Sequence, residues 1–194
     1  MTQPVLNERV PEVEVDAIFT DRWSPRSFID APLTEAQISA LFEAARWAPS
    51  CFNDQPWHFR YAVSRGDREL FAEALVEKNR EWAQHASMLL FVLAKKAFTQ
   101  SGQPNRHAVF DAGAAWMSLA LQARRLGLYA HGMAGFSVEK AAEVMNVSLD
   151  DYDIMAAVAV GYRGEPEALP DDMIAGEKPN GRKPLAEVVG EGRL

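Results

Sequence analysis

The period of the hydrophobic positions changes from segment to segment, and those changes mark the elements. Val13–Thr20 reads as a short helix. A firmer helix opens at Thr34. There Thr34-Glu35-Ala36-Gln37 has the form of a capping box, and Ile38, Leu41, Phe42 and Ala45 recur at helical spacing. Pro49 limits that helix. Trp57, Phe59, Tyr61 and Val63 alternate with His58, Arg60 and Ala62, the period-2 signature of a strand. Asp67 is expected to cap a helix carrying Leu70, Phe71, Ala74 and Leu75. Met88–Ala94 is apolar throughout, which predicts a strand covered on both faces.

Residues 106–126 carry the most information. Between Val109 and Leu121 the polar positions are few, Asp111 and Ser118 among them, and Gly127 stands where a C-terminal cap belongs. A helix apolar on nearly every side must be surrounded, either inside a large core or at a subunit interface. In a chain of this size a dimer interface is a natural home. Ser137–Met145 predicts another short helix and Ile154–Val160 another buried strand. Helices and strands alternate at irregular spacing, which favours a sheet flanked by helices over a regular parallel crossover array. From about residue 165 onward Pro and Gly accumulate in GEPEALPDDMIAGEKPNGRKPL, an irregular arm that is either disordered or wraps something.

Length and charge narrow the function classes. The 194 residues fit one domain, 1–194, with about 165–194 as the extended arm. The formal charge of −7, from 20 basic and 27 acidic residues, argues against nucleic acid, and no basic run tracks a phosphate backbone. An anionic ligand must therefore be met by locally clustered arginines. A single cysteine, Cys51, allows no internal disulfide. The start, MTQPVLNERVPEVEV, lacks a basic segment followed by an apolar one, and no apolar run approaches the roughly 20 residues that span a bilayer. A soluble, cytoplasmic protein is expected.

Conventional catalytic groupings do not appear. His58, His85, His107 and His131 show no metal-ligand spacing, and there is no HExxH, GxSxG, Walker loop or GxGxxG after a strand. Cys51 beside Phe52 reads more readily as a small packing residue than as a nucleophile. Any enzyme activity must then be carried by a cofactor. Three segments bear on that. Arg22-Trp23-Ser24-Pro25-Arg26 offers two forked cations and a hydroxyl around a turn, suited to a phosphate monoester or simply to a solvated surface. Pro49-Ser50-Cys51-Phe52-Asn53-Asp54-Gln55 crowds amides where a helix stops; they can read a heterocycle edge or make local turn bonds. Asn180-Gly181-Arg182-Lys183-Pro184 returns two cations at the far end of the chain.

Taken together, an RxSxRxF segment at Arg22, AARxAPSxxNxQPW from Ala44 to Trp57, the Gly135-Phe136 turn and the RKPL tail resemble the nitroreductase family. The resemblance runs from about Arg22 to Val189. It implies an α+β fold, a central mixed or antiparallel sheet flanked by helices, in an intertwined homodimer whose C-terminal tail extends onto the partner. It implies FMN as cofactor, NADPH or NADH as co-substrate, and small electron-poor acceptors such as nitroaromatics or quinones. No side chain need act as acid, base or nucleophile.

Carried over by position, Arg22, Trp23, Ser24 and Arg26 match the segment that binds the FMN phosphate and ribityl chain, with Arg26 reaching toward the pyrimidine. Pro49, Ser50, Cys51 and Asn53, with Gln55 just beyond, match a loop laid over the flavin by the other subunit. Asn79 matches an amide at the ring edge. Met133, Ala134 and Gly135 match the loop beside the isoalloxazine, and Arg182 a tail arginine on the phosphate. Ala134 stands where many relatives carry an acid, Gly132 where some carry proline, Cys51 where serine is frequent, and Trp82 where some place a lysine. Trp47, Phe52 and Trp82 are candidates to line the substrate slot. Same-fold dehalogenases, azoline dehydrogenases, a flavin-fragmenting enzyme and a non-catalytic FMN sensor are the alternatives.

Overall fold

The computed structural model describes residues 7–193. Its centre is an antiparallel sheet. Strand β1 is Phe28–Ile29, β2 Trp57–Ala62, β3 Met88–Lys95, β4 Tyr129–Met133 and β5 Tyr152–Arg163. β5 is the hub: it pairs with β3, with β4 and, at its far end, with β1, while β2 adds to the outer edge of β3. All of these pairings are antiparallel. The helices are α1 (Ala17–Asp21), α2 (Glu35–Arg46), α3 (Arg65–Ala72), α4 (Glu77–Ala83), α5 (Ala108–Arg125), α6 (Val138–Met145) and α7 (Asp171–Ile174).

Two cores lie on the two faces of the sheet, and β3 divides its side chains between them by strict alternation. Leu89, Phe91 and Leu93 join Trp82, Met133 and Ala141 on one side. Met88, Leu90 and Val92 join Leu41 of α2 and Ala112, Ala115 and Leu119 of α5 on the other. Full burial of each large residue contributes roughly 1.5–3 kcal/mol. β5 keeps the same alternation until its register against β3 shifts between Val92 and Leu93. There Val92 pairs with Ala156 but Leu93 pairs with Ile154, so Met155 is the extra residue of a bulge. The bulge inverts the phase. Ile154 therefore faces the same core as Ala157 and Ala159, although simple alternation would send it to the other.

Most elements match the sequence pattern, with local corrections. Thr34 does cap α2 through the reciprocal bonds of a capping box. Ser137 caps α6 by accepting from the Lys140 N–H at 3.1 Å, and Gly127, at φ +74°, follows the end of α5. The first helix is shorter than expected, because Asp16 caps it by accepting from the Ile18 N–H and leaves residues 13–16 outside. Asp67 is not a cap. Ser64 is, and Asp67 is the residue whose N–H it accepts. β2 ends at Ala62, before Val63, and as an edge strand leaves Tyr61 half exposed beside Phe42. β1, α4 and β4 carry no clear periodic signal: β1 has two residues, α4 is mostly polar, and His131 and Gly132 interrupt β4.

Helix α5 is buried on one face only. Its small residues Ala108, Ala112, Ala115 and Ala123 let it lie close against α2 and the sheet. The opposite face presents Val109, Phe110, Gly113 and Met117 to the outside of this chain, with Phe110 79% exposed. Among the described residues no helix is long and apolar enough to cross a membrane.

Candidate functional site

The turn after α1 and the C-terminal tail come together although some 150 residues separate them. Glu177 is buried, and its carboxylate accepts the Arg26 N–H at 2.8 and 3.0 Å and the Ser27 N–H at 2.9 Å. This carboxylate fixes the tail to the turn through backbone groups and leaves the arginine side chains of the turn uncommitted to it. Arg22 Nη1 lies 3.5 Å from Ser24 Oγ. The guanidinium of Arg22 is held below its ordinary pKa, first by burial and then by the charge of Arg182. Arg9 is shifted the same way, by burial, by Arg182 and by Arg22. Three arginines thus repel one another at one place. That arrangement is costly alone and favourable once an anion sits among them.

Arg26 extends the site toward α4. Its charge acts on Lys78, the neighbour of Asn79, and on His131 of β4. Burial, then the charges of Arg26 and Arg22, push the His131 pKa down to about 4, against the raising effect of the Pro25 carbonyl. The ring is therefore neutral near pH 7. Because Pro25 O can only accept, the 2.7 Å contact from His131 Nδ1 assigns the ring proton to Nδ1. This bond ties the Arg22–Arg26 turn to the strand that leads into Met133, Ala134 and Gly135.

At that strand's end the Gly135 carbonyl accepts two bonds, from the Val76 N–H at 3.1 Å and from Asn79 Nδ2 at 3.0 Å. The approach requires glycine: a Cβ on Gly135 would lie 2.6 Å from Asn79 Nδ2 and 2.9 Å from Val76 Cγ2. The structure therefore brings Arg22, Ser24, Arg26, Arg182, Asn79 and Gly135 into one connected region. Trp23 and Met133 belong to it by backbone only. Trp23 is buried edge-on against Tyr129, and Met133 is in the core. Trp82 does not line a slot: it is 2% exposed, between Phe28 and His131.

The amide loop is anchored on α5 and on the segment after β3. Buried Asp111 of α5 accepts the Cys51 N–H at 3.0 Å, and Ser50 Oγ accepts the Gln55 N–H at 3.0 Å. Asp54 accepts from the Thr99 N–H at 2.8 Å. So anchored, the loop holds Phe52, Asn53 and Gln55 at φ 53°, 55° and 53°. Asparagine tolerates the left-handed region, but for Phe52 it costs about 1–2 kcal/mol. Phe52 is also 87% exposed and nearby Trp47 73%. The loop thus combines backbone strain, firm anchoring and an exposed aromatic.

Two participants carry no sequence motif. Arg9 sits in the acidic stretch Asn7-Glu8-Arg9-Val10-Pro11-Glu12, and Glu177 in a tail of mixed charge, between Asp172 and Lys178. Arg9 is the odd charge in its neighbourhood, whereas Glu177 gives no local signal. A groove of about 820 Å³ also runs between the N-terminal segment and the tail. Val10, Val13, Phe19, Leu185 and Val188 give it an apolar lining, and Arg9 and Arg182 border it. It adjoins the arginine cluster and does not reach Asn79.

Comparison with known proteins places the fold in a family. The nitroreductase family model matches residues 19–81 and 62–162, and the chain belongs to that family. A solved structure described as an oxidoreductase containing FMN is 43% identical, with TM-score 0.93, over 100% of this chain and 98% of its own. A Streptomyces coelicolor protein provisionally named NADH dehydrogenase/NAD(P)H nitroreductase is 27% identical over 83% of this chain and 89% of its own. A Desulfovibrio desulfuricans nitroreductase-type structure in complex with FMN shares the fold, with TM-score 0.72 at 22% identity over 94% of this chain and 100% of its own.

Proposed function

We propose that this chain is an FMN-dependent oxidoreductase that draws hydride from NADPH or NADH and delivers it to small electron-poor acceptors such as nitroaromatics or quinones. The observation that carries the reading is the set of mutually repelling arginines with no acidic side chain bonded to them among the described residues, next to an amide and a glycine loop on one continuous edge. Arg22, Ser24 and Arg182 would hold the phosphate end, and Arg26 and Asn79 the pyrimidine edge. FMN supplies reversible two-electron chemistry when bound. A cation at Arg26 favours negative charge developing beside it, and neutral His131 keeps the turn in position without adding a further charge. The relatives described as an oxidoreductase containing FMN and as an NADH dehydrogenase/NAD(P)H nitroreductase support the reading. The test is a visible spectrum of the purified protein followed by anaerobic NADPH or NADH. Flavin bands that bleach and then recover with a quinone are expected; a colourless protein that takes up no FMN would refute the reading.

The same proposal includes a homodimer in which the loop from Pro49 to Gln55 of one chain covers the site of the other. The exposed face of α5 and the bare Trp47 and Phe52 support it. In this reading Phe52→Asn relieves backbone strain yet removes a contact between subunits. The expected result is a dimer dissociation constant raised about tenfold or more, with no loss of secondary structure. Unchanged sedimentation at low concentration would argue that Phe52 lies outside the interface.

A further inference from the structure

The guanidinium of Arg9 is gripped from two ends of the chain. Its Nε donates to Asn180 O at 2.7 Å and its Nη2 to Asn180 Oδ1 at 3.0 Å. Its Nη1 donates to Thr20 O at 2.9 Å and to Arg22 O at 2.7 Å. Asn180 also accepts from Arg182 Nη1 at 3.1 Å through the same Oδ1. One side chain therefore connects the backbone of Arg22 to the residue that orients Arg182. Thr20 O, Arg22 O and the Asn180 oxygens are all neutral acceptors, so the charge of Arg9 is left unbalanced beside Arg22 and Arg182.

We propose that Arg9 is a positioning residue for the phosphate end of the cofactor site: it clasps the C-terminal arm to the Arg22 turn and completes a three-arginine ring that closes around a phosphate monoester. This rests on the FMN reading above and adds to it a residue and a coupling. Asp172 pairs with Lys78 and the Leu185 N–H donates to Glu12, but two latches hold the arm to the Arg22 turn itself. Glu177 binds backbone N–H groups whatever the site contains, whereas the Arg9–Asn180 latch forms against the repulsion of three cations. An anion among those cations removes the repulsion, so phosphate occupancy and closure of residues 178–184 strengthen each other.

A comparison of ligands with and without the phosphate tests this. Arg9→Met is expected to weaken FMN binding about tenfold, read by flavin fluorescence, while binding of riboflavin, which has no phosphate, is unchanged. Arg9→Lys, with the charge but not the four-point grip, should recover only part of the loss. Equal losses for FMN and riboflavin would mean that Arg9 merely supports the fold, and no loss for either would mean it plays no part; either result overturns the proposal. Amide exchange supplies a readout that does not depend on flavin. Inorganic phosphate should slow exchange across 178–184 in the unsubstituted protein and not in Arg9→Met. If the unsubstituted protein binds neither flavin, the oxidoreductase reading falls, and this phosphate effect alone decides the clasp: its presence supports an anion-closed arm and its absence overturns one.

Discussion

Arg22→Ala is expected to weaken FMN binding by about 10–100-fold, which corresponds to the roughly 1.5–3 kcal/mol of hydrogen bonds to a charged group. It should not lower the melting temperature of the cofactor-free protein. Arg22 is half-buried and held below its ordinary pKa by burial and by Arg182. Removing it relieves that repulsion, and the neighbouring charge of Arg9 benefits as well. The Arg22 carbonyl that receives Arg9 Nη1 belongs to the backbone and survives the substitution. The expected signature is therefore a split: ligand affinity falls while the empty protein melts at the same temperature or slightly higher. Thermal melts with and without FMN measure both halves. If the empty protein is markedly destabilised, Arg22 is a structural residue, and the phosphate reading of the cluster loses its main support.

Gly135→Ala should damage the opposite end of the site. The added methyl has no room, with Asn79 Nδ2 at 2.6 Å and Val76 Cγ2 at 2.9 Å. Val76 leads directly into α4, so that helix must move away from the end of β4, and the two bonds accepted by Gly135 O are strained together. Overpacking of this kind costs about 1–3 kcal/mol. FMN affinity should fall with it, since Asn79 can no longer sit against the loop. A double-mutant cycle with Asn79→Ala isolates the cause. Removing the amide should return part of the lost stability, giving a coupling of about 1 kcal/mol or more between the two positions. Additive losses would place the clash on Val76 alone.

The periodic elements were legible because burial on one or two faces leaves a pattern: β3, α2, α5 and α6 follow it closely. The phase of β5 was not legible, because a bulge at Met155 shifts the alternation by one and nothing in Ile154-Met155-Ala156 announces it. Arg22, Arg26 and Arg182 were found through motif resemblance, and the structure brings Arg22 and Arg182 together. Arg9 and Glu177 escaped because their roles depend on where the tail returns, a long-range fact with no local spacing. The sequence leaves Trp82 open between slot and core, because helical spacing alone does not say which way an aromatic turns. It is buried because α4 turns it inward between Phe28 and His131.

The hub position of β5 has a consequence for the newborn chain. The partner that covers the inner edge of β3, Met88–Lys95, is not made until Tyr152–Arg163. At roughly 5–20 residues per second, residues 96–151 take several seconds to synthesise. Throughout that interval an uncharged, uniformly apolar segment, Met-Leu-Leu-Phe-Val-Leu-Ala, has at most the β2 ribbon on one side and an open edge on the other. Such a segment is a ready template for pairing with another chain. Yield in the cell should therefore depend on chaperones that shield nascent chains, and slowing translation between residues 96 and 151 should increase insoluble product even though the finished sheet is fully paired there.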